Sequence, residues 1–557
     1  MNKIVKLSLI ASMFTAGAFA SDAQMKKELD ELKSQVAELQ KTLKKAKVET
    51  LKEQISEVKA LAASNNIKWD VDLRTSMDSI EYETASGKTY KNDALLSNRL
   101  WLGMAYQPVD NLIFKGQLSY NKAFGANPPS YSTNGYPQRG YGFDTFDWVV
   151  NENLVDNNLK VRQAYWLYFG DAFLGADIPW TASVGRRPST GGFISNLRED
   201  DKPQSPSGHL IDVEFDGASF KFDLDKVAGV TGMYWKLCLG RGLTNARARF
   251  NTDGGLAAMG DYSEDDTTLE NIDMAGFIFV PYDNGQYQVQ TTYYRGFNVP
   301  GFRMVDPASM SGGVNTGMIS FVDGNGNGVP DSYTMNKGYQ MKNLGDQDGA
   351  GISIQVNGVG EFINDFLDNT KLFASFAWSR SNPSNELNTI DMNAMMAAMK
   401  QYNMTLEQAF QAVNAGQMSL APFMTKAGML GSTESETGTS YWLGAQFPAL
   451  ITENGKIGLE FNHGSKYWRN FTYGEDTLAA SKLAARGDAY EVYFNQPLIK
   501  DILSMQIRFT HIAYDYTGSQ GFFGADGTPM SMAEATAMGM DPIEKIDDLR
   551  VYFRYRY

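Results

Sequence analysis

The chain has 557 residues, 43% hydrophobic and 12% aromatic, yet its mean hydropathy is −0.34. A formal net charge of −14 excludes nucleic-acid binding as a main role, because a phosphate backbone selects for clustered Lys and Arg. The single cysteine excludes an internal disulfide framework, and after Ala20 no apolar run is long enough for a spanning helix. An aromatic-rich chain that is polar on average fits membrane strands, whose lipid-facing and lumen-facing residues alternate and cancel in any window.

Residues 1–20 read as an export signal. Lys3 and Lys6 form the basic end, Leu7 to Ala16 the apolar stretch and Ala18-Phe19-Ala20 the small-x-small cleavage site, so the mature chain is expected to begin at Ser21. Residues 21–63 then read as a periplasmic coiled-coil stalk. Met25, Leu29, Leu32, Val36, Leu39 and Leu43 follow 4-3-4-3-4 spacing, and the pattern slips before resuming at Leu51, Ile55 and Val58. The seam is too narrow for a globular core. It predicts self-association through these leucines, although a solvated single helix or an intramolecular hairpin is the alternative.

From residue 64 to 557 the pattern changes to segments of about ten residues with period-two alternation, the signature of a transmembrane antiparallel β-barrel in an all-β fold. Val551, Phe553, Tyr555 and Tyr557 against Arg550, Tyr552, Arg554 and Arg556 are the clearest case. About sixteen strands are expected. They begin near Ile67, Arg99, Leu112, Lys160, Trp180, His209, Met233, Met274, Tyr287, Gly351, Lys371, Ser440, Lys456, Ala489, Leu503 and Leu549. Short links such as Pro108 to Asn111 and Pro448 to Gly455 follow every second strand and the other links are long, which orients both termini toward the periplasm. Asp216-Gly217-Ala218 is turn-like, and keeping the alternation makes it a bulge within one strand.

Gly185-Arg186-Arg187-Pro188-Ser189-Thr190-Gly191-Gly192, then Ser207-Gly208-His209-Leu210-Ile211-Asp212-Val213, resembles the signature of a bacterial domain-of-unknown-function family of porin-type outer-membrane proteins. Arg99-Leu100-Trp101-Leu102 and Val161-Arg162-Gln163-Ala164-Tyr165-Trp166 are similar to it too. The resemblance implies a porin-like barrel in the outer membrane without an assigned substrate, and analogy with porins makes a homotrimer the expected assembly.

Function then rests on the loops and the lumen. Pro188 to Gly208 is the third long connection, a loop that in porin-like barrels folds inward. Arg198, Glu199, Asp200, Asp201 and Lys202 lie in it, with Arg186 and Arg187 at the adjoining strand end. Both signs of charge at a constriction would orient solutes, whereas a solvated surface cluster is the alternative. Alternation further places Lys115, Lys221, Asp223, Gln288, Gln290, Glu460, Glu491, Arg508, Arg550, Arg554 and Arg556 toward the lumen. Of the constriction itself, Lys115, Arg508 and Arg554 are the expected wall residues.

In the fifth long loop Asp323, Asn325, Asn327 and Asp331 offer side-chain oxygens and Val329 its carbonyl, at spacings that suit Ca²⁺; a metal-free Asn/Gly turn is the alternative. The 380–439 loop has helix-like sequence, with a capping box at Thr405 and Gln408 and Met392, Met395, Met396 and Met399 nearby. His209, His463 and His511 fall near strand ends or on lipid-facing parity, and no catalytic or metal-ligand spacing is present, so an enzyme is not expected. The expected activity is passive diffusion of small hydrophilic solutes or ions. A tether from membrane to peptidoglycan through the stalk, or a sheath around a partner protein, is the rival reading.

Overall fold

The computed structural model describes residues 67–125, 159–246, 264, 270–303, 319–322, 332–335, 340–360, 363–384, 387–390, 392–404, 408, 412, 417, 422, 424–472, 477–519, 528–537 and 540–557. The signal and coiled-coil segments, with Leu29, Leu32, Val36, Leu39 and Leu43, lie outside these residues, as do Asp323 to Asp331 and most of Thr405 to Gly416.

The described residues close into a single antiparallel β-barrel of sixteen strands, as the alternation predicts. They are β1 Lys68–Thr84, β2 Thr89–Val109, β3 Leu112–Ala123, β4 Lys160–Gly170, β5 Trp180–Arg187, β6 Phe215–Asp223, β7 Tyr234–Leu243 and β8 Ile272–Asp283. The second half holds β9 Tyr287–Arg303, β10 Gln340–Asn357, β11 Lys371–Pro383, β12 Thr437–Pro448, β13 Lys456–Gly464, β14 Gly487–Ile499, β15 Leu503–Tyr514 and β16 Ile543–Arg556. Each strand pairs with its neighbours in sequence, and β16 returns to β1 in a continuous register from Asp72 opposite Arg556 to Glu83 opposite Lys545.

Three expectations are corrected. The first long connection does not exist: β2 starts ten positions before Arg99, at Thr89, and a tight turn at Gly87, with φ of 80°, joins it to β1. The polar run Thr89 to Asp93 hides this extension from a hydropathy reading, because it projects past the apolar band into water. His209 does not open a strand; β6 begins at Phe215, and His209 to Glu214 belong to the preceding loop. Asp216-Gly217-Ala218 is no bulge either, since its register with β5 and β7 runs unbroken. Gly217 stands opposite Gly185 on one side and Gly240 on the other, so three backbones approach where side chains would not fit.

Burial is inverted relative to a water-soluble domain, as a bilayer dictates. On β16 Leu549 and Phe553 are 42% and 49% exposed, whereas Arg550 and Arg554 are 1% and 2% exposed. The outward band ends where polar pairs take over: the ion pairs Arg295–Asp346 at 2.8 Å and Lys545–Glu83 at 3.0 Å, and the hydrogen bonds His463–Asp488 and His511–Asp547, each 2.7 Å. All lie toward the rim that bears the long loops. Among the described residues no helix is long and apolar enough to cross a membrane. The 384–436 connection carries an α-helix, Met392–Tyr402, which contains the four methionines and stops before Thr405.

A Cβ at Gly217 would sit 1.9 Å from the carbonyl oxygen of Leu239, a backbone atom that cannot swing aside. Gly217→Val should therefore destabilise the barrel by about 1–3 kcal/mol. A lowered temperature for loss of the compact, fast-migrating gel species checks this; unchanged migration would refute the close approach.

Candidate functional site

Strand register puts like charges face to face inside the barrel. Arg74 is opposite Arg554, Arg508 opposite Arg550, and Glu460 opposite Glu491. Such cross-strand pairs repel, and here the side chains are almost fully buried, so each needs a counter-charge. Two long loops supply much of it by folding into the lumen: residues 188–214 (loop 3) and residues 465–472 and 477–486 (loop 7).

Loop 3 brings Glu199 among the arginines. Its carboxylate is 3.9 Å from Arg74, 3.6 Å from Arg508 and 3.8 Å from Arg554, and it accepts a 2.6 Å hydrogen bond from the Tyr552 hydroxyl. Asp201 pairs with Arg554 at 3.1 Å and Arg556 at 2.7 Å, and Asp200 with Lys456 at 2.7 Å. Asp72 and Asp78 on β1 complete the set by bonding Arg554 and Arg550. Loop 7 does the reverse for the acidic pair: Lys482 lies between the two carboxylates, 2.6 Å from Glu460 and also bonded to Glu491. Arg198 adds a second cation 3.5 Å from Glu491, and Trp442 donates to Glu460 at 3.0 Å.

Backbone groups of loop 3 are tied to the wall as well. The Leu197 carbonyl accepts from Gln446 at 2.9 Å, and that of Arg198 from Asn495 at 2.9 Å and Gln506 at 2.8 Å. The two loops also join each other: the amide of Phe471 donates to Leu210 at 3.0 Å and that of Asp212 to Phe471 at 2.7 Å. Around this contact Leu210, Ile211, Val213, Trp468, Phe471 and Tyr294 form an apolar core inside the barrel. Ile194, fully buried, has a φ of 77°, and Asp200 a φ of 52°. Positive φ at a β-branched residue costs about 1–3 kcal/mol and persists only where packing holds it.

His209 sits between the loops and the wall. Its ring nitrogens are each 2.8 Å from a serine hydroxyl, Ser375 and Ser440, and Trp442 and Trp468 flank it at 5.8 and 5.6 Å. Complete burial pushes its pKa down to about 3. In the same loop, burial with Glu199 beside it raises the Asp201 carboxyl above the ordinary range, although Arg554 and Arg556 oppose the shift.

The residues expected at a constriction therefore fall into three groups. Arg198, Glu199, Asp200, Asp201, Arg508 and Arg554 converge in the network just described. Arg186 and Arg187 stand apart from it: Arg186 reaches Glu214 at 3.3 Å, which also binds Arg162 at 3.0 Å, while Arg187 donates to Ser219 and lies over the Tyr165 ring. Lys115 is on β3, within electrostatic reach of Asp70 and of Lys202 in loop 3. Sequence reasoning missed loop 7 altogether. The signal was there, since Trp468, Phe471 and Leu483 are too apolar for a loop facing water. Among the described residues no group of three or more His, Cys, Asp or Glu is placed to hold a metal ion.

Two outcomes test the network. Arg554→Met leaves Asp72 and Asp201 without a principal cation and should cost about 3–5 kcal/mol, the range for breaking a buried pair, with loop 3 becoming cleavable by added protease. For His209 the unfolded ring titrates near 6.5 and the folded ring near 3, so the folded state resists protonation between these values. Its contribution is complete above about pH 6.5 and is lost as pH falls toward 3, so loop 3 protection should fade over that window. The fading should be weaker in His209→Asn; an identical pH profile in the variant would remove His209 as the cause.

Comparison with curated protein sequences finds no match. Several solved structures are similar at low identity. An anion-selective porin from Comamonas acidovorans shares 9% identity over 88% of this chain and 99% of its own, with a TM-score of 0.41. OprB from Pseudomonas putida shares 10% over 89% and 96%, also at 0.41, and Salmonella typhi OmpF in complex with daunomycin 10% over 89% and 99%, at 0.39. At these TM-scores the barrel closure itself establishes the fold. Sequence supplies the family: residues 89–557 match the protein family of unknown function DUF3373, and the chain belongs to it.

Proposed function

We propose that the chain is an outer-membrane channel of the porin type, through which small hydrophilic solutes or ions diffuse passively. One observation carries the reading: a closed barrel that is apolar outside and charged inside, with a long loop folded into its lumen. A wall of that polarity favours water within, and sixteen strands leave room for it.

The orientation proposed has the long loops outside the cell and both termini in the periplasm, the usual arrangement for outer-membrane barrels. Loop 3 then forms the constriction, with Arg198, Glu199, Asp200 and Asp201 held against one side of the lumen. The solute path runs along the part of the lumen the loop leaves open, onto which Lys202 of the loop and Lys115 of β3 are exposed. A homotrimer joined partly through the Leu29 to Leu43 seam is the proposed assembly, supported by heptad spacing.

Purified protein in planar bilayers should give discrete conductance steps. Deleting the loop 3 tip, Asn196 to Lys202, should enlarge each step by widening the narrowest section. Absence of steps in both forms would remove the channel reading, and equal steps would remove loop 3 as the constriction.

A further inference from the structure

Loop 3 carries acidic residues into the lumen, yet the wall neutralises them. Glu199 is held among Arg74, Arg508 and Arg554, Asp201 by Arg554 and Arg556, and Asp200 by Lys456 at 2.7 Å. The Glu199 and Asp200 side chains are only 10% and 24% exposed, whereas that of Lys456 is 40% exposed. The next residue of the tip, Lys202, is exposed. Lys115 of β3, also exposed, lies within its electrostatic reach. Lys371 of β11 is close to the tip as well. It stands opposite Gln446, whose amide donates to the Leu197 carbonyl at 2.9 Å, and it lies within electrostatic reach of Lys456 and Asp200. Among the described residues, then, Lys115, Lys202, Lys371 and Lys456 gather at the tip. The carboxylates acting on Lys115 and Lys371 are Asp70 and the already bound Asp200.

We propose that these lysines make the channel anion-selective, so that small anions pass in preference to cations. A lysine ammonium keeps its hydration shell, so it raises the local anion concentration without holding an anion tightly enough to stop its flow. The buried arginines do not serve this way, because carboxylates already hold them out of reach of water. The chain's net charge of −14 favours cations. Charges farther from the path than a Debye length of about 8 Å are screened, however, so the lysines at the tip decide the sign. This selectivity rests on the channel reading and names the charge class of solute which that reading leaves open.

Full-length protein in planar bilayers under a KCl gradient gives the permeability ratio of chloride to potassium from the reversal potential. The ratio should exceed one at about 0.1 M salt and approach one at about 1 M, where the Debye length shrinks to about 3 Å. Lys115→Glu combined with Lys202→Glu should lower it about tenfold and carry it below one. Should that double variant fail to insert, Lys202→Gln alone, at an exposed loop position, should lower it in the same direction. Lys545→Gln, whose native side chain pairs with Glu83 on the outward face, should leave it unchanged. Anion selectivity is refuted by a wild-type ratio at or below one, by an undiminished ratio in the variant that inserts, or by an equal fall in Lys545→Gln. Conductance steps with a ratio at or below one would keep the channel and remove its anion selectivity; absence of steps would remove both.

Discussion

Hydrocarbon offers no partner to a backbone amide, so a sheet that crosses it must have no edge. Closure of β16 onto β1 meets that constraint, and the rest of the structure follows from it. A closed sheet has two faces, and successive side chains must take opposite ones. Apolar residues outside then force the polar half of every strand into the lumen, where neighbouring strands bring their charges together.

In this barrel the register joins like with like inside the lumen, among other places at Arg74 with Arg554, Arg508 with Arg550, and Glu460 with Glu491. Loops 3 and 7 are drawn inward because each carries the opposite sign. Glu199 serves the arginines and Lys482 the glutamates, so each loop is held by charges that the wall would otherwise leave repelling. Removing one member of such a buried set costs more than the set itself contributes, because its neighbours stay buried and uncompensated. The same loops bury an apolar core of their own around Phe471 and Leu210, while a second cluster, Phe193, Leu197, Phe373, Trp442 and Leu483, packs around the strained backbone at Ile194. Loop 3 is therefore part of the fold rather than a mobile cover.

Much of this was legible in the chain alone. Period-two alternation gave the sixteen strands and their order, because the bilayer imposes one rule on every strand regardless of its partners. Family resemblance in the Gly185 to Gly192 run pointed to the same barrel. The sequence also named Arg198 to Asp201, Arg508 and Arg554 as lumenal charges.

Strand ends were less legible, since alternation persists or fades without regard to where pairing stops; hence the misplaced starts of β2, β6 and β10, the last at Gln340 and not near Gly351. His209 was misread for a related reason. A histidine between small and apolar residues looks like a strand position, and only contacts with Ser375, Ser440 and Trp468 show it to be a fully buried loop residue. The sequence by itself determined which side chains face lipid and which face inward, because that depends on parity along one strand. Which inward charges meet, and which loop enters to neutralise them, was decided only by tertiary structure, because register and loop docking join residues as far apart as Asp72 and Arg554.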